Sequence, residues 1–458
     1  MKPHLHFMGI AGIGMSGLAR WFAADGYPVS GCDSDDSAEL QALARQGIEI
    51  SLGHDAAHMA GSDILVSSAA VPETHPEILA ALEQDKPWLR RIDLLARLLK
   101  ARRSVTVTGT HGKSTTTGMI ATLFLQANTD PSILVGGHLA ALSSNVRYGH
   151  GPWAVAEVDE SDPGFAALPS EIAVLTNLED DHIAGDFDER RTYHASLEDL
   201  EQAIRTFAEN AETLIYCADW PSLEGVLSGL PNLVSYGLAP SATYRAEVHE
   251  LSGSSSTFTF YAPDGSCKVR LPMLGLHNVQ NATAALATAH LAGLDLEAAA
   301  EHLSSFSGVG RRWQRRGSVH GALVIDDYAH HPTEVRVTLE AARHTGKRVR
   351  AVLQPHRWVR TARHWPALAD AAGLADEVLV LDVYGAGETP IAGVSSEKIV
   401  ERLRTAGRDA QLYSLTGAQH YLAQTLAPND LIVTLGAGDV WRVGEGLLQE
   451  AGGDDGSA

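Results

Sequence analysis

The segment Thr108-Gly-Thr-His-Gly-Lys-Ser-Thr-Thr-Thr117 brings two glycines, a lysine and a run of hydroxyls together in ten residues. A glycine turn closed by Lys-Ser aims backbone N–H groups and a helix N-terminus at one point, where a polyphosphate binds. Lys113 would reach the terminal phosphates, and the Ser114 or Thr115 hydroxyl would hold Mg²⁺. The spacing departs from the usual phosphate loop. Val107 stands where a glycine is expected five positions before Gly112, so the loop is Gly109-Thr110-His111-Gly112-Lys113-Ser114, two residues short. The plain alternative is a glycine turn with a chance Lys-Ser pair. The strand-like Val105–Val107 before it and the helical spacing of Gly118–Leu125 after it favour a nucleoside triphosphate site.

Other polar groups sit at comparable positions. Gly12-Ile-Gly14-Met15-Ser16-Gly17 follows a strand and opens a helix, and Asp33 ends the next strand. This arrangement fits a pyrophosphate beside a ribose, as in NAD or a nucleotide sugar. Glu157, Asp159 and Glu160 in Ala154–Ser161, and Asp181 and His182 in Leu175–His182, follow two apolar strands, where a carboxylate and an imidazole would be Mg²⁺ ligands, the plain alternative being solvated acidic loop residues. Asp326–Glu334 and Leu353–Thr361 follow two more strands, and His356, Arg357 and Arg360 would form a carboxylate clamp. His54 and His58 are four apart with no third ligand nearby in sequence, and are expected to be exposed helix residues.

The elements that must position these groups alternate strand and helix, which predicts an α/β fold with doubly wound parallel sheets. The pattern divides into an N-terminal Rossmann-like domain (1–95), a central P-loop ATPase domain (96–310) and a C-terminal Rossmann-like domain (311–458). Arg90-Arg91 is read as the linker into the second domain, and Pro263-Asp-Gly265 as a hairpin turn. The 458 residues suit roughly three domains on a prior of about 150 each. A net charge of −21 argues against nucleic-acid binding, since a phosphate backbone needs a basic surface. No apolar run is long enough to span a membrane, and a cytoplasmic enzyme is expected. Cys32, Cys217 and Cys267 are dispersed and form no CxxC pair, so sequence supports neither a disulfide framework nor a zinc site.

The ordered set of segments resembles the Mur ligase family of peptidoglycan synthesis. It runs from His6–Gly17, Gly109–Thr115, Ala156–Asp162 and Thr176–His182 through Gly275–Asn281 and Gly308–Trp313 to Asp326–Glu334, Gln354–Thr361 and Val383–Glu388. No single segment is this specific; their order along nearly the whole chain is. The resemblance implies ATP and Mg²⁺, with UDP-N-acetylmuramate and L-alanine as substrates, in a monomer or homodimer. By the same resemblance Lys113, His182 and Arg360 are catalytic, and Ser114, Glu157 and His182 bind metal. Asn278 and Asn281 would lie near the adenine. Arg312 and Asp327 would draw the C-terminal domain onto ATP, with Tyr328 against the base. Gly12, Gly14, Met15, Ser16, Asp33, Ser67, Ser68 and His330 would serve the UDP-sugar, and His356, Arg357 and Arg360 the alanine carboxylate.

Two departures from the family pattern matter. Ile183-Ala184 follow Asp181-His182 where the family has an apolar residue and an aspartate. No lysine lies between Lys113 and Lys268, so the carbamylated lysine of several sister ligases cannot operate here. The alternatives are a recycling ligase that adds a murein tripeptide, an NAD-dependent oxidoreductase built on the first glycine motif, and a non-catalytic nucleotide switch.

Overall fold

The computed structural model describes residues 2–68, 71–181, 183 and 194–452. It is an α/β protein built on three sheets. The first has five parallel strands in the order Glu49–Leu52, Val29–Asp33, Leu5–Met8, Ile64–Ser67 and Trp88–Arg90. Leu5–Met8 lies at its centre and is buried throughout, as a strand covered on both faces must be. Trp88–Arg90 corrects the linker reading. It pairs with Ile64–Ser67 as the sheet's edge, and the helix Arg91–Lys100 begins directly after it. Three residues are too short a run for any periodicity to register.

The second sheet has ten strands, and its centre carries the phosphate loop. Arg103–Thr108 is flanked in parallel by Ser170–Leu175 and Trp153–Glu157, so their C-terminal ends open on the same edge. The helix Lys113–Gln126 that follows the loop is buried on nearly every face, with Met119, Ile120, Leu123 and Phe124 inaccessible. A helix enclosed this way keeps an apolar character all round instead of one stripe. The expected turn at Pro263-Asp-Gly265 joins the strands Ser255–Ala262 and Gly265–Leu271.

The third sheet has six strands in the order Gln314–Val319, Ala322–Asp327, Asp430–Leu435, Arg348–Leu353, Glu377–Leu381 and Ala410–Tyr413. All its pairings are parallel except the first. Apolar residues cover both of its faces, Val349, Leu353, Val378 and Leu431 on one and Val352, Leu379 and Ile432 on the other. The chain forms two compact units. One comprises 1–246, 260–267 and 280–306, the other 247–259, 268–279 and 307–458. The polar strand-end segments singled out from sequence are distributed between them.

Candidate active site

In the first unit the loop after Arg103–Thr108 is held by glycine conformations no other residue adopts easily. Gly109 has φ +123° and Gly112, which caps the following helix, has φ +82°. A Cβ at Gly109 would run into Thr176 Oγ1 and the Asn177 backbone, and one at Gly112 would lie 2.8 Å from Asn281 Oδ1. The neighbouring strand end braces the turn: Thr176 Oγ1 donates to the His111 carbonyl at 2.6 Å, and the His111 N–H donates to Asn177 Oδ1 at 2.7 Å. His111 Nε2 lies 2.8 Å from Glu179 Oε2, and the Thr110 hydroxyl accepts the Glu179 N–H at 2.9 Å. Asn281 reaches the same helix, accepting from Thr116 Oγ1 at 3.1 Å.

Lys113 Nζ donates to the Gly109 and Thr110 carbonyls at 2.6 and 3.1 Å and pairs with Glu160 Oε2 at 2.7 Å. Burial works against its charge, but Glu160, Asp159 and Glu157 outweigh it and hold the ammonium above the ordinary lysine value. Glu160 is fully buried. Ser114 Oγ donates to Glu157 Oε1 at 3.0 Å, while Glu157 Oε2 accepts the Gly136 N–H at 2.6 Å. A hydroxyl and a carboxylate at this separation are hard oxygen donors of the kind Mg²⁺ takes, so the residues fit that ion. Thr115 is buried in the helix, and His182 lies outside the described residues.

The other glycine turn of this unit is built differently. Gly12 caps the helix Ile13–Ala24, and Asp33 ties the turn to the next strand by accepting the Ala11 N–H at 2.9 Å. The other Asp33 oxygen accepts the Ser34 N–H at 2.9 Å, so the carboxylate braces the loop as well as facing it. Met15 and Ser16 are buried, which leaves their backbone groups to offer a ligand. A Cβ at Gly14 would lie 2.6 Å from Arg91 Nη1. The presumed linker residue Arg91 therefore covers the turn. Ser67 is buried and accepts from Trp88 Nε1 at 2.9 Å, and Ser68 next to it is half-buried.

The reading of His54 and His58 as exposed helix residues holds only in part: His54 is exposed but outside a helix, and His58 is half-buried in the 3₁₀ helix Ala56–Gly61. Both approach the buried carboxylate of Glu77, with Nδ1 3.5 and 3.1 Å from Oε1.

In the second unit Asp327 is buried and accepts the Trp313 and Ala329 N–H groups at 2.7 and 2.8 Å. Burial pushes its pKa up to about 6, against the pull of Arg312 and these two donors. Two guanidinium groups, Arg311 and Arg312, each lie 5.0 Å from the Tyr328 ring centre. Arg312 also faces Glu334 at 3.7 Å, and Glu334 accepts the His330 N–H at 3.0 Å. His330 packs edge-on against Tyr328 and His356.

The three clamp residues are not equivalent. Arg360 Nη1 is 3.4 Å from His356 Nδ1, whose ring stacks on Tyr384. Arg357 instead pairs with Glu388, and its φ of +67° is costly for a residue with a side chain. Asn278, in the same unit, donates to the Leu274 carbonyl at 2.8 Å. Several contributors were not singled out as site residues, among them Asn177, Arg91, Glu334 and Glu388. Asn177, Glu334 and Glu388 fall inside the quoted strand-end segments, so the signal was position; Arg91 had none.

Three family models match in sequence order. They are the Mur ligase family catalytic domain over residues 4–103, the Mur ligase middle domain over 107–289 and the Mur ligase glutamate ligase domain over 311–438. The chain belongs to the Mur ligase family. Among Mur ligases it is 46% identical over 455 residues to a UDP-N-acetylmuramate–L-alanine ligase of Deinococcus radiodurans, covering 97% of this chain and 93% of that one. A protein of the same name from Brucella anthropi is 40% identical, with 97% of each chain covered. The crystal structure of a UDP-N-acetylmuramate–alanine ligase from Thermotoga maritima superposes with a TM-score of 0.82 at 27% identity, covering 98% of this Mur ligase and 99% of that chain. A murein peptide ligase from Psychrobacter arcticus superposes at 0.69 and 26% identity, with 98% and 99% covered. Among the described residues no helix is long and apolar enough to cross a membrane.

Proposed function

We propose that this chain joins L-alanine to the lactoyl carboxylate of UDP-N-acetylmuramate, consuming ATP and releasing ADP and phosphate. The observation that carries the reading is the 46% identity, along 97% of the chain, to a protein named for that reaction. A ligase for a ready-made tripeptide is the nearest alternative. The higher TM-score with the alanine ligase than with the murein peptide ligase, 0.82 against 0.69, favours the single amino acid.

A carboxylate is a poor electrophile, and amide formation from it in water is uphill. In the proposed sequence a lactoyl carboxylate oxygen attacks the γ-phosphorus of ATP, ADP departs, and an acyl phosphate results. Lys113 guides and neutralises the transferring phosphoryl group, supported by its position at the helix start beside two loop carbonyls. Mg²⁺, held by Ser114 and Glu157 with His182, would supply charge neutralisation on the phosphate oxygens. The neutral amine of L-alanine attacks the acyl carbon, passes through a tetrahedral intermediate and expels phosphate. His356 and Arg360 orient the alanine carboxylate, and Arg357 fixes the strand end through Glu388. Gly12, Gly14, Asp33, Ser67, Ser68 and His330 serve the UDP-sugar, and Asn278, Asn281, Arg312, Asp327 and Tyr328 serve ATP.

The test is phosphate release with UDP-N-acetylmuramate and a panel of L-alanine, glycine, L-serine and tripeptide. L-Alanine should give the highest kcat/KM. A strong preference for tripeptide would replace the reading with the recycling reaction, and ATP hydrolysis indifferent to both co-substrates would replace it with a nucleotide switch.

A further inference from the structure

The N-terminal sheet carries a second cluster of metal-type donors that the ligase reading does not use. Beneath the glycine turn, His6 on the central strand, Cys32 on its neighbour, His58 in the turn of 3₁₀ helix Ala56–Gly61 and Glu77 at the start of the helix Pro76–Glu83 converge. One ligand atom from each lies within 4.8 Å of all the others. Cys32 Sγ is 3.4 Å from both Glu77 oxygens, and His58 Nδ1 is 3.1 Å from Oε1. Around a tetrahedral zinc with bonds of roughly 2.0–2.3 Å, neighbouring donors stand about 3.3–3.8 Å apart. Little contraction separates the cluster from that geometry.

A second, independent observation points the same way. His6 is 2% exposed, and its Nε2 has no hydrogen-bond partner among the described residues. An orphaned polar atom at this depth costs free energy unless something satisfies it. The other ring nitrogen, Nδ1, lies 2.8 Å from Ser30 Oγ, an outer contact of the kind that orients a metal-binding imidazole.

The geometry points to a site for one borderline-soft divalent cation of the zinc type, ligated by His6 Nε2, Cys32 Sγ, His58 and Glu77. Charge decides the class. Two neutral imidazoles, one thiolate and one carboxylate sum to −2, so a dication makes the buried assembly neutral. Mg²⁺ prefers oxygen donors and would select Ser114 and Glu157 instead. On binding, the Cys32 thiol proton goes to solvent as the S–metal bond forms. His54 and His58 give an approach, with side chains 30% and 17% exposed.

The ion would tie four elements together directly under the glycine turn, since the Gly9 N–H meets the Cys32 sulfur and the Ile10 N–H donates to the Cys32 carbonyl at 3.1 Å. No CxxC spacing marks such a site, because its ligands would come from four elements as distant as His6 and Glu77. The inference stands independently of the ligase reading.

The test uses the full chain, stripped with chelator and reloaded with Zn²⁺ or Co²⁺. About one Zn²⁺ per chain should survive dialysis, and the Co²⁺ form should show a thiolate charge-transfer band. Cys32→Ala should abolish that band, whereas Cys217→Ala, at another buried cysteine, should keep it. His58→Ala should weaken Zn²⁺ binding by more than about tenfold, the lower bound for losing even an outer contact. Should Cys32→Ala fail to fold, His58→Ala, at a partly exposed position, decides alone. Retention below one in ten chains, a band that persists in Cys32→Ala, or unchanged affinity in His58→Ala would overturn the proposal.

Discussion

Lys113 answers to two demands at once. It must be a mobile cation for phosphate, yet it lies beside a fully buried carboxylate, Glu160, at 2.7 Å. Removing one partner of a buried pair costs about 3 kcal/mol or more, because the remaining charge stays in a poor solvent. Lys113→Ala should therefore lower the Tm as well as reduce kcat by more than about 10³-fold. Adding Glu160→Gln should recover much of the Tm and none of the turnover. Recovery of both would show that the lysine acts only through stability. Arg360, by contrast, is proposed to touch the amino acid alone. Arg360→Ala should raise the KM for L-alanine by about 100-fold, the loss of roughly 3 kcal/mol of charge-assisted hydrogen bonding, and leave the KM for ATP within about twofold. Equal effects on both would remove the clamp. Asp327 sets a pH limit. Its folded pKa of about 6 lies above the ordinary 3.8, so the native state takes up this proton first as pH falls. By linkage, this group makes the fold relatively more stable as pH drops through about 6, so an acid loss of activity cannot be blamed on it as unfolding. We expect kcat/KM to decline below about pH 6 with the Tm maintained there, and Asp327→Asn to give a low, flat profile across that window.

At the scale of elements, the two glycine turns respond differently to one added methyl group. At Gly109 the φ of +123° and the collision with Thr176 and Asn177 leave no room to relax. Gly109→Ala should cost about 3 kcal/mol and raise the KM for ATP at least tenfold. At Gly14 the obstacle is the tip of the Arg91 side chain, which can swing aside. Gly14→Ala should change stability by less than about 1 kcal/mol, yet raise the KM for UDP-N-acetylmuramate by displacing Arg91. Thermal denaturation beside steady-state kinetics separates the two, and a Tm loss at Gly14 matching that at Gly109 would refute the distinction. The same elements explain what was legible beforehand. A buried strand, a glycine turn and a helix start are contiguous, so Val105 to Leu125 announced itself. The edge strand Glu49–Leu52 has no buried residue, and four residues are too few for the alternation of Ile50 and Leu52 to stand out; Trp88–Arg90 is shorter still. Contacts across sequence were invisible for a different reason. Thr116 meets Asn281 across 165 residues, and Glu77 gathers His54, His58 and Cys32 through folding alone.

On the scale of the molecule, a chain of net charge −21 must recognise two polyanions, ATP and a UDP-sugar, against its own field. On the proposed reading, recognition rests on local cations and helix starts: Lys113 and Arg91 in one unit, and Arg311 and Arg312 beside Tyr328 in the other. Such a design suits a reaction in which charge is moved between bound groups rather than drawn from solvent, and it bears on which phosphorus is attacked. Attack at the α-phosphorus would transfer adenylate and release pyrophosphate. On the proposed reading Lys113, at the end of a short loop, meets the terminal phosphates, and the γ-phosphorus is the electrophile. The distinction is recorded in oxygen atoms. If the lactoyl carboxylate attacks the γ-phosphorus, its oxygen bridges carbon and phosphorus, and expulsion by the alanine amine breaks the carbon–oxygen bond. One carboxylate oxygen therefore leaves with phosphate at each turnover. UDP-N-acetylmuramate labelled with ¹⁸O in that carboxylate should yield singly labelled orthophosphate, no label in ADP, and one retained label in the new amide carbonyl. Label in AMP would mean adenylation, and unlabelled phosphate would mean that ATP is hydrolysed without activating the acid.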